Sequence, residues 1–290
     1  RYEVPIMKLK LPFFRKKSAV VAVLRLDGVI GTSGSRLRGS TLSIQSQEAR
    51  IERAFKIGRL KAVALVVNSP GGSAVQSALI AGRIRSLAEE HGLPVIAFAE
   101  DVAASGGYWL ACAADEIFAN EASIVGSIGV VSSGFGFQGL IARYGVERRV
   151  HTAGESKATL DPFLPEKEED VAHLKETQEA VHDHFKDYVR SRRGDRIDAE
   201  SDELFTGSFW TGPRAVELGL IDGLGDIRTV MRERYGKDVR FVPITERKSM
   251  LRSLFGRFGT SVTLERAFDG LPEQALGTLE ERAVWARFGL

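Results

Sequence analysis

"KAVALVVNSPGGS", residues 61–73, decides the fold class. A nearly continuous, valine-rich apolar run suits a strand covered on both faces, the kind found in parallel sheets. The run stops at Asn68, where Pro70, Gly71 and Gly72 supply a tight loop. From Ala74 to Glu90 the spacing turns helical. "LPVIAFA", 93–99, repeats the theme as a second buried strand, broken at "EDVAASGG". A helix over about 105–113 and a short strand at "EIFA", 116–119, follow. Upstream, 18–30 reads as a strand ending at "DGVIG", and 41–58 as a helix through Leu42, Ala49, Ile51 and Phe55. This alternation predicts an α/β domain with mostly parallel strands. Ligands of such sheets bind at the carboxyl ends of the strands, where both glycine-bearing loops lie.

Downstream, "VERRVHT", 146–152, reads as a strand leading into "AGESKATLDPF". A long helix then spans about 164–194, with Val171, Leu174, Gln178, Val181, Phe185 and Tyr188 on one stripe. Glu166, Glu168, Glu169 and Asp170 begin it and Arg190, Arg192 and Arg193 end it, the order a helix dipole favours. "FTGSFWTGPRAVELGLIDGLGD", 205–226, supplies a short helix and turns. Three regions result: a basic N-terminal segment, 1–17; one domain, 18–245; and a C-terminal extension, 246–290, expected to be helical and to dock on the body, cap the site or touch a membrane.

Composition narrows the function. The chain has 290 residues, 43% hydrophobic and 27% charged, with a formal net charge of +2, so nothing argues for nucleic acid. No run of about 18 apolar residues is present to cross a membrane. The expected location is the cytoplasm or the periphery of the inner membrane, the basic "MKLKLPFFRKK" end offering an anionic lipid surface a contact. The single cysteine, Cys112, sits among alanines and reads as core packing. The five histidines form neither a metal motif nor a triad pattern: His182 and His184 are two apart on a helix and diverge. No GxGxxG or Walker loop is present, so no cofactor is expected.

Two loops carry chemistry. The "NSPGGS" turn can aim backbone N–H groups into a cleft, where donors stabilise a developing oxyanion. In "AASGGY", Ser105 stands at a helix start; the plain reading is an N-cap, the chemical one a nucleophile with Gly106 N–H beside it. A candidate base is Lys157, in "GESKATLDPF", among small and polar residues. A lysine accepts a serine proton when burial lowers its pKa from about 10.4 towards ~7–8. Alone it reads as a solvated charge.

"VNSPGGS", "DVAASGGYWLACAADEIFAN", "GSIGVV", "GESKATLDPF" and "FTGSFWTGPRAVELGLIDGLG", in that order, resemble the SppA-like signal peptide peptidases, serine proteases of the ClpP/crotonase fold. The resemblance implies repeated β-β-α units. It also implies Ser105 as nucleophile, Lys157 as general base and Ser127 orienting the lysine. The oxyanion hole would be Gly106 N–H with that of Gly72, or else Gly71. Substrates would be apolar or membrane-derived peptides, such as remnant signal peptides. The assembly would be a homo-oligomer, an octamer among the options, with serine and lysine from one subunit or two. A crotonase-like acyl-CoA hydratase or isomerase, and a non-catalytic scaffold, are the competing readings of the same fold.

Overall fold

The computed structural model describes residues 18–32, 41–154, 156–198, 202–245 and 282–290. Its apolar runs become the middle of one sheet: β1 (Val20–Asp27), β2 (Leu60–Ser69) and β3 (Val95–Ala104) lie parallel, side by side. Alternate residues of β2 serve two cores. Val63, Leu65 and Val67 face the larger one, under α1 (Ile44–Phe55), α2 (Ala74–His91) and α3 (Gly106–Ala111). Ala62 and Ala64 face the smaller one, closed by Met231 of a later helix. Burial on both faces explains why β2 shows no polar alternation.

Further strands and α-helices among the described residues are β4 (Glu116–Ala119), β5 (Ile124–Gly126), α4 (Gln138–Arg143), α5 (Glu168–Arg193), β6 (Phe209–Thr211), α6 (Gly212–Glu217), β7 (Gly223–Leu224), α7 (Ile227–Tyr235) and β8 (Arg240–Pro243). The eight strands run β6-β5-β3-β2-β1-β8, with β4 and β7 branching from β3. Every pairing is parallel except β5 with β6. The expected mixed α/β, mostly parallel architecture is what the structure shows.

Three local expectations need correction. The strand at 93–99 does not break at "EDVAASGG" but continues to Ala104. Its first half, Ile96–Ala99, pairs with β4, and its second half, Val102–Ala104, pairs with β5. Between them the register with β2 shifts, and the Asn68 side chain fills the gap: its amide donates to Asp101 (3.0 Å) and accepts from Val102 N–H (3.2 Å). The polar Glu100 and Asp101 mark a bulge that turns the strand, not its end. The helix expected over 105–113 is shorter, Gly106–Ala111. No strand forms at 146–152; that stretch is exposed, and among the described residues no strand pairs with it.

The long helix is present as α5, and its basic end works locally. Arg192 donates from Nε to Cys112 O and from Nη2 to Ala114 O, both at 2.9 Å, satisfying carbonyls left open where α3 ends. Arg193, 2% exposed, holds Gly219 O and pairs with Asp222 at 2.8 Å. Burial alone would push the Asp222 carboxyl up; hydrogen bonds from Arg193 and Ile117 N–H outweigh it and hold the group below the usual carboxylate range. Cys112 is buried as expected, and burial pushes its thiol up to about 11. The basic segment 1–17, with its expected membrane contact, lies outside the described residues, as do 246–281 of the extension; 282–286 are helical. Among the described residues no helix is long and apolar enough to cross a membrane.

Replacing Arg193 by alanine removes the buried partner of Asp222 and leaves it Arg196, at 3.2 Å, and the Ile117 N–H. The expected cost is about 1.5–3 kcal/mol, the scale of a lost hydrogen bond to a charged group, or a fall in thermal midpoint of roughly 3–12 °C. Because the folded Asp222 pKa is depressed, its contribution is present above the unfolded value of about 3.9 and lost as pH falls through the lower folded value. The gap between wild type and Arg193→Ala, measured by calorimetry, should therefore narrow below about pH 4.

Candidate active site

The carboxyl ends of β2 and β3 meet at Ser69–Gly72 and Ser105–Gly106. The turn after β2 is tied to the loop following β1: Ile30 N–H donates to Gly71 O at 2.8 Å and Ser73 N–H to Ile30 O at 2.9 Å. These bonds pass on either side of Gly72, whose own N–H stays out of the ladder. Gly72 has φ 141°, and a Cβ there would lie 2.0 Å from Ile30 O. Only glycine fits this crossing.

Ser105 occupies the cap position of α3, but its side chain makes no capping bond. Its backbone has φ 52° and ψ −121°, a conformation that L-residues rarely adopt. The plain N-cap reading therefore fails, since a capping serine is extended and bonds an N–H of the first turn. Such strain costs about 1–3 kcal/mol and persists where its surroundings over-determine it. Here Ser105 N–H is held by Gly126 O at 2.8 Å, and Trp109 N–H by Ser105 O at 3.0 Å. Gly106 N–H, the first of α3, has no acceptor within the helix.

Ser127 follows Gly126 at the end of β5, buried and also at positive φ, 54°. It lines, with Ser105, Gly72 and Gly106, one cavity of about 700 Å³. Apolar side chains make much of its wall: Trp109 from α3, Val181 and Phe185 from α5, and Val130 and Val131 after β5. Trp109 is stacked on Phe185 at 4.5 Å and on Tyr188 at 5.3 Å, so α5 braces the helix that begins at Ser105.

Four of the five residues singled out in the sequence, Ser105, Ser127, Gly72 and Gly106, thus come together. Lys157 does not join them within the chain. It lies exposed in the turns of 156–160, does not line the cavity, and has no hydrogen bond to either serine. Gly71, the alternative donor, is engaged instead: its N–H donates to Ser69 Oγ at 3.2 Å.

Two features of the cavity lie beyond the site residues singled out in the sequence. His182, set aside as one of a diverging pair, lines the cavity and its Nε2 lies 3.1 Å from Ile128 O. Val284 and Arg287, from the far end of the chain, close another side, with Phe288 edge-on to Phe209 at 5.2 Å. Periodicity along α5 carried the first signal, since residue 182 borders the apolar stripe. The second falls in the C-terminal extension, for which capping the site was one of the expectations. Among the described residues no cluster of three or more His, Cys, Asp or Glu side chains could hold a metal ion.

Known proteins resemble this arrangement in sequence and fold. Residues 88–238 match peptidase family S49. The chloroplast serine protease SPPA of Arabidopsis thaliana is 29% identical over 262 residues, 87% of this chain and 38% of that protein. A Brucella abortus (strain 2308) protein named Na(+)/H(+) antiporter NhaA is 49% identical over 280 residues, 96% of this chain but also 38% of that protein. The shared stretch contains most of the family S49 match, so the antiporter name belongs to that whole protein and not to this segment. A solved membrane-bound stomatin-specific protease, a mutant in complex with a substrate peptide, superposes with a TM-score of 0.50 at 15% identity, covering 83% of this chain and 97% of its own. That likeness concerns the fold. The chain spans well under half the length of either curated relative.

Alanine at Gly72 should lower the thermal midpoint by roughly 2–12 °C, the strain of about 1–3 kcal/mol converted for a domain of this size. Gly82, inside α2 with open space around its Cβ position, is the internal control. The same substitution there should stabilise by about 0.5–1 kcal/mol. A scan of both variants that gave shifts of one sign would contradict the crossing described.

Proposed function

We propose that this chain, which belongs to peptidase family S49, is a serine endopeptidase for apolar, membrane-derived peptides, with Ser105 as nucleophile and Lys157 as general base. The observation that carries the reading is the Ser105 backbone: a strained, uncapped serine facing a cleft beside the Gly72 and Gly106 N–H groups, which have no hydrogen-bond acceptor among the described residues. A structural serine has no reason to hold that conformation.

In the proposed reaction the scissile carbonyl sits between Gly72 N–H and Gly106 N–H. Ser105 Oγ attacks its carbon while its proton passes to the neutral Lys157 amine. The two N–H groups carry the tetrahedral oxyanion; losing one such donor typically costs about 2.7–4 kcal/mol. The C–N bond then breaks, the lysine ammonium gives the proton to the leaving amine, and the acyl ester remains. Water, deprotonated by the same amine, hydrolyses it. Ser127 would hold the amine in line. The wall of Trp109, Val130, Val131, Val181 and Phe185 supports apolar substrate side chains, the class found in remnant signal peptides.

The position of Lys157 supports a site built by two copies. It projects from a stretch that also exposes Val131, Phe135, Leu140, Tyr144 and Val146. A patch of that kind is unusual on a monomer. A second copy covering it would bring Lys157 to a neighbour's Ser105 and bury the amine, and burial favours the neutral base the reaction needs. Repeated head to tail, that contact closes a ring, an octamer among the options.

Ser105→Ala and Lys157→Ala are each expected to lower peptide hydrolysis at least ~10³-fold, with Ser105→Ala also abolishing labelling by a fluorophosphonate. Unfolding the two variants together and refolding them as a mixture should restore about a quarter of wild-type activity, if assembly is random through a heterologous interface. An active mixture would locate base and nucleophile on different copies; an inactive one would put both on the same copy. Full activity in either single variant would end the proposal.

A further inference from the structure

Ser127 can orient a base only if its own backbone stays where it is, and that backbone is strained. Gly126 (φ 112°) and Ser127 (φ 54°) form a turn that leaves the end of β5. For a serine, a left-handed conformation costs about 1–3 kcal/mol and relaxes unless its neighbours are fixed. Three hydrogen bonds fix it. Gly126 O accepts from Ser105 N–H at 2.8 Å, and Ser127 N–H donates to Ser208 O at 2.7 Å. The third comes from a side chain: His182 Nε2 meets Ile128 O at 3.1 Å. A carbonyl only accepts, so Nε2 carries the proton in this pair.

We infer that His182 is a positioning residue, its Nε2–H holding the Ile128 carbonyl and so setting the Ser127 hydroxyl relative to Ser105. The inference rests on the Ser105–Lys157 reading above. Its strength lies in where His182 is mounted. α5 is packed on α3 through Phe185 and Tyr188 against Trp109, and Arg192 of the same helix bonds the carbonyls where α3 ends. Ser105 is the residue that immediately precedes α3. One rigid helix therefore fixes the nucleophile's element by packing and the Ser127 turn by a single donor. His182 is half-buried and itself lines the cavity. The neighbouring histidine at 184 instead lies tilted on Trp109 at 5.5 Å and has no part in this contact.

A kinetic cycle on His182 and Ser127 tests the assignment, read as kcat and KM for an apolar peptide and as the rate of Ser105 labelling by a fluorophosphonate. His182→Ala should lower kcat by up to about 100-fold, the scale of a misplacement near 1 Å, with KM within about twofold. His182→Gln, whose side-chain amide can donate from nearly the same place, should recover most of the loss. His182→Phe, which fills the space without a donor, should not. If the alanine variant fails to fold, the glutamine and phenylalanine pair decides alone. In a Ser127→Ala background, His182→Ala should slow the reaction no further. Full activity in His182→Phe, or an equal slowing by His182→Ala in both backgrounds, would overturn the inference while leaving Ser105 labelling, and with it the peptidase reading, intact. A Ser127→Ala variant as fast as wild type would overturn it too. Failure of the peptidase reading would show separately, as a Ser105→Ala chain that still hydrolyses the peptide.

Discussion

Backbone crowding at one point governs this structure. The loop after β2, the start of α3 and the strand-like residue Ile30 meet where no side chain fits. A Cβ on Gly71 would lie 2.8 Å from that of Ser105 and 2.9 Å from the Gly106 nitrogen. Such proximity has a cost, because it forces left-handed backbone and excludes ordinary residues. It also has a chemical consequence. N–H groups that would otherwise enter a ladder or a helix face a shared space, and a serine between them is lifted out of its capping role. Preorganised donors of this kind need no rearrangement at the moment charge develops.

The bend in β3 delivers the other half of the arrangement. An unbroken straight strand would keep one partner along its whole edge. By shifting register at Asn68, β3 leaves β4 and takes up β5, so the strand that ends in Ser105 lies beside the one that ends in Gly126. The bond from Ser105 N–H to Gly126 O follows directly. Two strained serines then stand on neighbouring strand ends, each over-determined by hydrogen bonds to the other's element or to the β6 side. The site is thus a property of sheet topology as much as of the residues that line it.

What the sequence disclosed, and what it withheld, follows the range of the interactions involved. β2, α2 and the Pro-Gly-Gly turn were legible because apolar runs, helical spacing and turn residues act locally. The place of Ser105 and Gly106 at the start of a helix was legible for the same reason, though not what the serine does there. β3 misled because Glu100 and Asp101 look like a strand end, and the residue that bridges the irregularity, Asn68, is a whole strand-helix unit away. "VERRVHT" misled because a strand needs an edge to pair with, and propensity says nothing of whether one is near. His182 was passed over because its partner is a backbone carbonyl, which carries no residue identity for a pattern to detect. The approach of Val284 and Arg287 to the cleft is longer-range still.

The position of Lys157 makes the same point from the opposite side. The resemblance, not the residue's own context, offers it as a base, and within the chain it stands away from the serines, on a stretch with few ties to the sheet. Those ties are local: Phe137 N–H to Pro162 O, Arg148 to Asp161, and Leu160 N–H to Asp170 on the first turn of α5. They give the stretch an internal shape without closing it over its own cleft. Under the proposal, a segment ordered in itself, apolar on its exposed side and carrying the base would serve a neighbour's cleft rather than its own. On that view the monomer is built with its nucleophile and oxyanion donors rigid and complete, and with its proton acceptor held ready elsewhere. Assembly would then do what burial does in a self-contained site, since only a dry contact makes a lysine amine a competent base.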